Sequence, residues 1–403
     1  MKRMTALTYN MKLIAILLLL CCLLSGCVTS PQQTGSISTS TETLPADPRD
    51  TTPTDPNPAI DPSLPRPQDR RDYFIETEDA YYYLYNQMVY VSQKDEPSFY
   101  YLCGKPDCPH DGPDCNAFAD MALGYWNGKL YGVDLSGDDE QRDWRIFSMN
   151  LDGSEHRRVA NIELLVSKNG LKGGDYGEFW FYGGFVYYKI DPFTEEDGGA
   201  FVRTNLETGE SELLFEDYFR PDRGLFPVVS FSGELLYFTG WEGEPRDVEK
   251  RAYSLYQYSL RDGTLERLCD WTLDYWIMED GVVYTYRRAD GAFYEYDLKT
   301  GELRQAAKPD LGLGAAYYDR DYIYLKCWNW EDAGVNELYI FDREYRLLDH
   351  IHLKPGEDYL YRARDKLFFS SLPSGQITGM IPASEIGSGH MEIRRLPDPY
   401  SIR

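Results

Sequence analysis

Seven times along this chain a turn residue gives way to a short run of apolar and aromatic residues. The runs are NQMVYV from Asn86, GKLYGV from Gly128, GFVYYK from Gly184, GELLYF from Gly233, GVVYTY from Gly281, DYIYLK from Asp321 and DKLFFS from Asp365. Successive starts lie 40 to 56 residues apart. A repeat of that length is one supersecondary unit, unable to bury its apolar face without its neighbours. A second element follows in most units: strand, glycine turn, strand. It reads IFSMNLDGSEHRRV (146–159), FVRTNLETGESELL (201–214), YQYSLRDGTLERLC (256–269) and FYEYDLKTGELRQA (293–306). LYIFDREYRLLDHI (338–351) is the same element without its glycine. The 34 tyrosines, with Val, Ile and Phe at alternate positions, favour strands. Asp-Gly and Thr-Gly turns break those strands at short intervals. No helical period persists beyond a turn or two. Two hairpins per unit make a four-stranded meander, and units of this size are blades. The expectation is an all-β, seven-bladed β-propeller of four-stranded antiparallel blades over residues 73–403. A pair of β-sandwiches would not repeat at so even a period, and a β-helix would repeat much faster.

The N-terminus reads as an address. Lys2, Arg3 and Lys12 precede the apolar run Leu13–Leu24, which is too short to span a bilayer, a task for about 20 residues. It fits the apolar region of a secretory signal. Leu24-Ser25-Gly26-Cys27 resembles the lipobox of bacterial lipoproteins, in which the signal is cut before a cysteine that carries the lipid. Residues 1–26 are therefore expected to be a lipoprotein signal peptide and Cys27 the lipidated residue; the other reading is an ordinary signal with a chance cysteine. Two acyl chains suffice for stable attachment. Residues 28–72 are rich in Ser, Thr, Asp and Pro and hold no aromatic residue, so they cannot bury enough apolar surface to offset ordering. With Cys27 they form a disordered tether (27–72), reaching ~35–40 Å on average as a flexible coil.

The turns LETGE and DLKTGE resemble those of TolB-like and quinoprotein-like propellers, in which a strand ends in Asp-x-x-Thr-Gly. Lipobox, polar tether and propeller together resemble a group of surface lipoproteins of Gram-positive bacteria whose function is unassigned, some carrying a segment like CGKPDCPHDGPDC in the first blade. The resemblance implies a position on the outer face of the cytoplasmic membrane. The repeats lack the Gly-His and Trp-Asp pairs of WD repeats. They also lack the regular tryptophans that stack on quinone, which argues against that cofactor.

The segment YLCGKPDCPHDGPDC (101–115) concentrates the chemistry. Cys103, Cys108, His110 and Cys115 make a Cys3His set, a legitimate tetrahedral zinc shell. Extracytoplasmic location favours disulfides instead. Removing Cys21, Cys22 and Cys27 leaves five cysteines, an odd number, with Cys269 and Cys327 in blades four and six. Structural zinc, one disulfide within the loop, and reduced thiols all remain open. A catalytic cysteine is disfavoured, because no base and orienting group accompany it and four protein ligands leave no open position. The segment is expected to replace the glycine turn of blade one, between the strand SFYYL and a unit beginning near Ala117.

Other features carry weaker messages. His350-x-His352 on a strand presents both rings to one face, as a metal pair or as a solvent-facing edge. The acidic runs 134–143 and 191–199 lack the ligand order of an EF-hand loop and read as solvated hairpin tips. Trp328 and Trp330 are candidate ligand-surface residues; most other tryptophans are expected in the core. No G-x-S-x-G, H-E-x-x-H or phosphate-loop motif occurs. The net charge of −25, more negative still without the signal, opposes nucleic acid and anionic headgroups. The expected function is a membrane-anchored, monomeric binding module for a protein, peptide or glycan. The alternative is an extracytoplasmic glycan hydrolase or lyase, with carboxylates converging in the funnel.

Overall fold

The computed structural model of the protein describes residues 73–95, 98–136, 143–162, 174–192, 199–216, 223–243, 251–269, 275–311, 314–328, 336–371 and 375–397. They form seven four-stranded antiparallel sheets, each cut from one uninterrupted stretch of chain. Blade one is β1 (Phe74–Glu76), β2 (Ala80–Tyr85), β3 (Met88–Gln93) and β4 (Tyr100–Tyr101). Blade two is β5 (Ala122–Trp126), β6 (Lys129–Ser136), β7 (Asp143–Asn150) and β8 (Arg157–Asn161). Blade three is β9 (Gly174–Tyr182), β10 (Phe185–Pro192), β11 (Ala200–Asn205) and β12 (Ser211–Glu216). Blade four is β13 (Arg223–Ser232), β14 (Leu235–Gly243), β15 (Arg251–Ser259) and β16 (Leu265–Cys269). Blade five is β17 (Tyr275–Glu279), β18 (Val282–Arg287), β19 (Ala292–Asp297) and β20 (Leu303–Ala307). Blade six is β21 (Gly314–Tyr318), β22 (Tyr322–Trp328), β23 (Asn336–Asp342) and β24 (Leu347–Leu353). Blade seven is β25 (Glu357–Arg362), β26 (Lys366–Ser371), β27 (Ile377–Pro382) and β28 (Arg394–Arg395).

The expected seven-bladed propeller is thus the observed one. Among the described residues no helix is long and apolar enough to cross a membrane. First strands of successive blades approach one another (β1–β5, β5–β9, β9–β13, β17–β21), which puts them nearest the axis. The fourth strands form the rim, and β16 and β20 are largely exposed. The core lies between the sheets, filled by rings such as Trp276, Tyr188, Phe179, Phe293 and Phe369. Blades two to six each carry one register shift between third and fourth strands, at Ile146/Phe147, Phe201/Val202, Leu255/Tyr256, Phe293/Tyr294 and Ile340/Phe341. A bulge there increases the local twist of the outer hairpin. The glycine turns fall where the sequence puts them, with Gly153, Gly209, Gly263 and Gly301 at φ of +71° to +77°. In blade six Tyr345 holds that left-handed conformation (φ +64°), and its hydroxyl donates to Glu295 at 2.9 Å.

Blade one departs from the expected register. In six blades the turn-and-strand motif is the second strand, but NQMVYV belongs to the third, β3. The counterpart of Gly128-Lys-Leu-Tyr is Asp79-Ala-Tyr-Tyr, entering β2. Asn86 and Gln87, both at positive φ, make a second tight hairpin turn inside the same blade, and that duplicate signal misleads the sequence pattern.

Blades one and seven meet without exchanging a strand. Phe74 stacks on Tyr361 at 4.4 Å, and Phe368 packs against Phe74, Tyr81 and Phe99. Around these rings, Lys94 Nζ binds Glu76 at 2.7 Å and the Arg364 N–H donates to Glu76 at 3.0 Å. Tyr81 donates to Asp365, and Lys366 donates to the Tyr81 hydroxyl and to the Lys94 carbonyl, both at 3.1 Å.

Candidate metal centre

Every blade must send its chain from the rim back to the axis, and residues 102–121 do so for blade one by the longest such connection. Its two ends are tied to one residue of β3. The Val89 carbonyl accepts from the Leu102 N–H at 2.9 Å, and the Val89 N–H donates to the Ala117 carbonyl at 2.7 Å. Ala119 donates to the Gln87 carbonyl at 3.0 Å, and Phe118 bridges Met88. Leu102, Cys115, Ala117, Phe118 and Ala119 are buried in the blade-one core. The segment therefore follows the fourth strand and leads to blade two. It does not replace the glycine turn inside blade one, as the sequence implied, because SFYYL is an outer strand of only two paired residues.

Between these anchors the ligand atoms of Cys103, Cys108, His110 and Cys115 all lie within 4.8 Å of one another. A tetrahedral zinc–thiolate shell has sulfur–sulfur edges of about 3.8 Å, so the set matches in size as well as in kind. Local turns gather it. Cys108 donates its N–H to the Lys105 carbonyl at 3.3 Å, and Cys115 to the Gly112 carbonyl at 3.0 Å. Lys105 Nζ reaches the Asp114 carbonyl at 2.8 Å, and His110 sits in the left-handed region (φ +55°). The Tyr101 ring stacks on the imidazole, centroids 4.4 Å apart, and Nδ1 faces Cys115 Sγ at 3.3 Å. Tyr101 orients His110, a role the sequence did not flag although it stands two residues before the first cysteine.

The sulfurs are solvated by backbone. The Ala117 N–H points at Cys115 Sγ at 3.3 Å. Burial works against ionising Cys103, but N–H groups of Lys105 and Asn116 and the neighbouring thiols Cys115 and Cys108 outweigh it and hold this thiol below its ordinary value. Cys115 is pushed up to about 12, by burial first and then by Cys108 and Cys103, against the Ala117 N–H. Without a counter-charge, burial and the neighbouring thiols resist ionising Cys115. A divalent cation removes that resistance. Zinc held by Cys103, Cys108, Cys115 and His110 Nδ1 would tie the connection into one rigid loop. No disulfide joins the five described cysteines in this structure, and Cys269 and Cys327 stand buried in blades four and six.

Other expected site residues are scattered. Cys27 and Trp330 lie outside the described residues, as do the tips of both acidic runs. Trp328 ends β22, paired with Asn336. Trp126, Trp144, Trp180 and Trp276 pack in core clusters, as expected. His350 and His352 lie on β24, both bonded to Glu337. Among the described residues the buried carboxylates have partners: Glu76 with Lys94, Asp319 with Tyr324 at 2.7 Å, Asp349 with the Gly387 N–H, Glu357 with Arg395, and Asp358 with Lys326.

No protein-family model matches the chain, and no curated protein matches it. Solved structures share its fold. A prolyl endopeptidase chain superposes with a TM-score of 0.53 at 13% identity, over 84% of this chain and 50% of that one. Prolyl oligopeptidase B from Galerina marginata gives 0.52 at 13% identity, over 78% and 49%. An oligogalacturonate lyase in complex with manganese gives 0.45 at 11%, over 83% and 90%. The chain thus spans about half the length of the two peptidases. The likeness is one of fold alone: a seven-bladed propeller.

Proposed function

We propose that this chain is a lipoprotein of a Gram-positive surface, anchored through Cys27 at the outer face of the cytoplasmic membrane. There it acts as a monomeric binding module for a protein, peptide or glycan, with residues 103–115 serving as a structural zinc clip. The observation that carries the reading is the closed Cys3His set: four protein donors within 4.8 Å of one another complete a tetrahedral shell and leave no position for substrate. Its place agrees, on a connection between blades whose flanks are buried in the blade-one core. The lipobox-like Leu24-Ser25-Gly26-Cys27 and the polar stretch behind it support display at a distance from the bilayer.

Metal analysis with thiol counting on the purified mature protein tests the clip, with one zinc per chain and three protected thiols expected. A metal-free protein with a Cys103–Cys115 bond would sink it. Membrane fractionation of wild type against Cys27→Ala tests the anchor: the variant should leave the membrane fraction. Screening glycans and cell-wall fragments tests the module, with saturable binding and no turnover expected; product formation would replace it with the enzyme reading.

A further inference from the structure

Blade six presents a second arrangement of metal-binding side chains, far in sequence from the clip. On its two outer strands, Glu337 of β23 stands directly across from His352 of β24, and Tyr339 directly across from His350. Cross-strand partners share a face, and so do residues two apart on one strand, so these four side chains form one group. His352 Nδ1 is 2.7 Å from Glu337 Oε1, and His350 Nε2 is bonded to the other oxygen, Oε2. One carboxylate thus holds two imidazoles, one at each oxygen. The His350 ring is stacked on Tyr339, centroids 4.7 Å apart and planes within 8°. The imidazoles are 46% and 57% exposed, so the group is open to solutes.

We infer that Glu337, His350 and His352 form a rim site for a divalent transition-metal ion, independent of the clip. Two imidazoles and a carboxylate suit Zn2+, Ni2+ and Cu2+ better than the hard cations Mg2+ and Ca2+. Nitrogens and oxygens bound to one such ion at about 2.0–2.2 Å lie roughly 3 Å apart when adjacent, near the 2.7 Å between His352 Nδ1 and Glu337 Oε1. As the rings stand, the carboxylate lies between them. Closing both onto one ion takes a side-chain rotation by two exposed histidines, within ordinary rotamer freedom. Three protein donors leave positions open for water or for a donor from a bound partner, unlike the closed clip. The strongly acidic chain raises the local concentration of cations.

Calorimetric titration with Ni2+ of the untagged mature protein, its clip first saturated with zinc, provides the test. One Ni2+ per chain is expected in wild type. It should be lost in His350→Ala and in His352→Ala, and bound at least tenfold more weakly by Glu337→Gln, which keeps the shape and removes the charge. Circular dichroism confirms that each variant is folded; Tyr339→Phe, which retains the stacked ring, should bind as wild type does. No uptake of Ni2+ by wild type, or unchanged uptake by the two histidine variants, overturns the site. A chain that binds no zinc at the clip yet takes up Ni2+ through His350 and His352 refutes the clip and leaves this site standing.

Discussion

Blade one is held differently on its two sides. Its sheet is the poorest in the ring, with three residues in β1 and two in β4. Towards blade seven it is secured by rings and charges: Phe74, Tyr81 and Phe99 around Phe368, bordered by Glu76, Lys94, Asp365 and Lys366. Towards blade two it is secured by a covalent connection folded around sulfur and imidazole. Leu102 there seats the turn at Gly153, and the His156 ring donates to the Asn116 carbonyl at 2.6 Å. Among the described residues no strand is shared across the seam, which depends on burial of large side chains. The connection has a chain but little regular pairing, and the proposed zinc would cross-link its twenty or so residues. A short sheet is thus stabilised from outside itself, by whichever means its neighbour allows.

The sharpest way to break the symmetry is Phe368→Ala. It empties the seam of a ring that is 0% exposed and should cost about 3–5 kcal/mol, read from urea unfolding. Chelation of the clip should come next, with a loss of about 2.7 kcal/mol for free zinc held at a hundredfold its dissociation constant. Acidification should release the same metal, because thiolates and imidazole must be deprotonated to bind it. A chelator that leaves the unfolding midpoint unchanged would show that the connection needs no cross-link. Gly153→Ala probes the junction itself. At φ +77° a Cβ would lie 2.4 Å from the Leu102 carbonyl oxygen, and a loss of about 2 kcal/mol is expected. The smallest effect belongs to Asp365. Burial raises its carboxyl, but bonds from Lys366 and Tyr81 outweigh burial and hold it below the ordinary carboxylate range. Its contribution is therefore present above the unfolded-state value and is lost as pH falls through the folded one. Asp365→Asn should flatten the acid limb of stability measured from about pH 5 downwards, modestly, because the side chain is 48% exposed.

Most of the architecture was legible because propeller blades repeat their turn chemistry. The Asp-x-x-Thr-Gly turn at 297–301 reads plainly: the Asp297 side chain accepts from the Lys299 and Thr300 N–H groups, and Gly301 supplies the positive φ. Blade one was legible as a blade but not in register, since Tyr81–Tyr85 is nearly continuous in its apolar character and carries no alternation to fix a face. The clip's ligands were legible as residue types. Their place after the fourth strand was not, because two paired residues in β4 leave almost no strand signature. Glu337 could not have been linked to His350 and His352 from spacing alone; only the pairing of β23 with β24 brings it there.

Each blade is spelled by one continuous stretch of sequence, and the ring closes on side chains instead of a borrowed strand. Excising a single blade-length segment between rim and axis would therefore leave every remaining sheet whole and bring one new pair of surfaces face to face, whereas inserting one would create two. A fold wired in this way can change its number of blades by one genetic step.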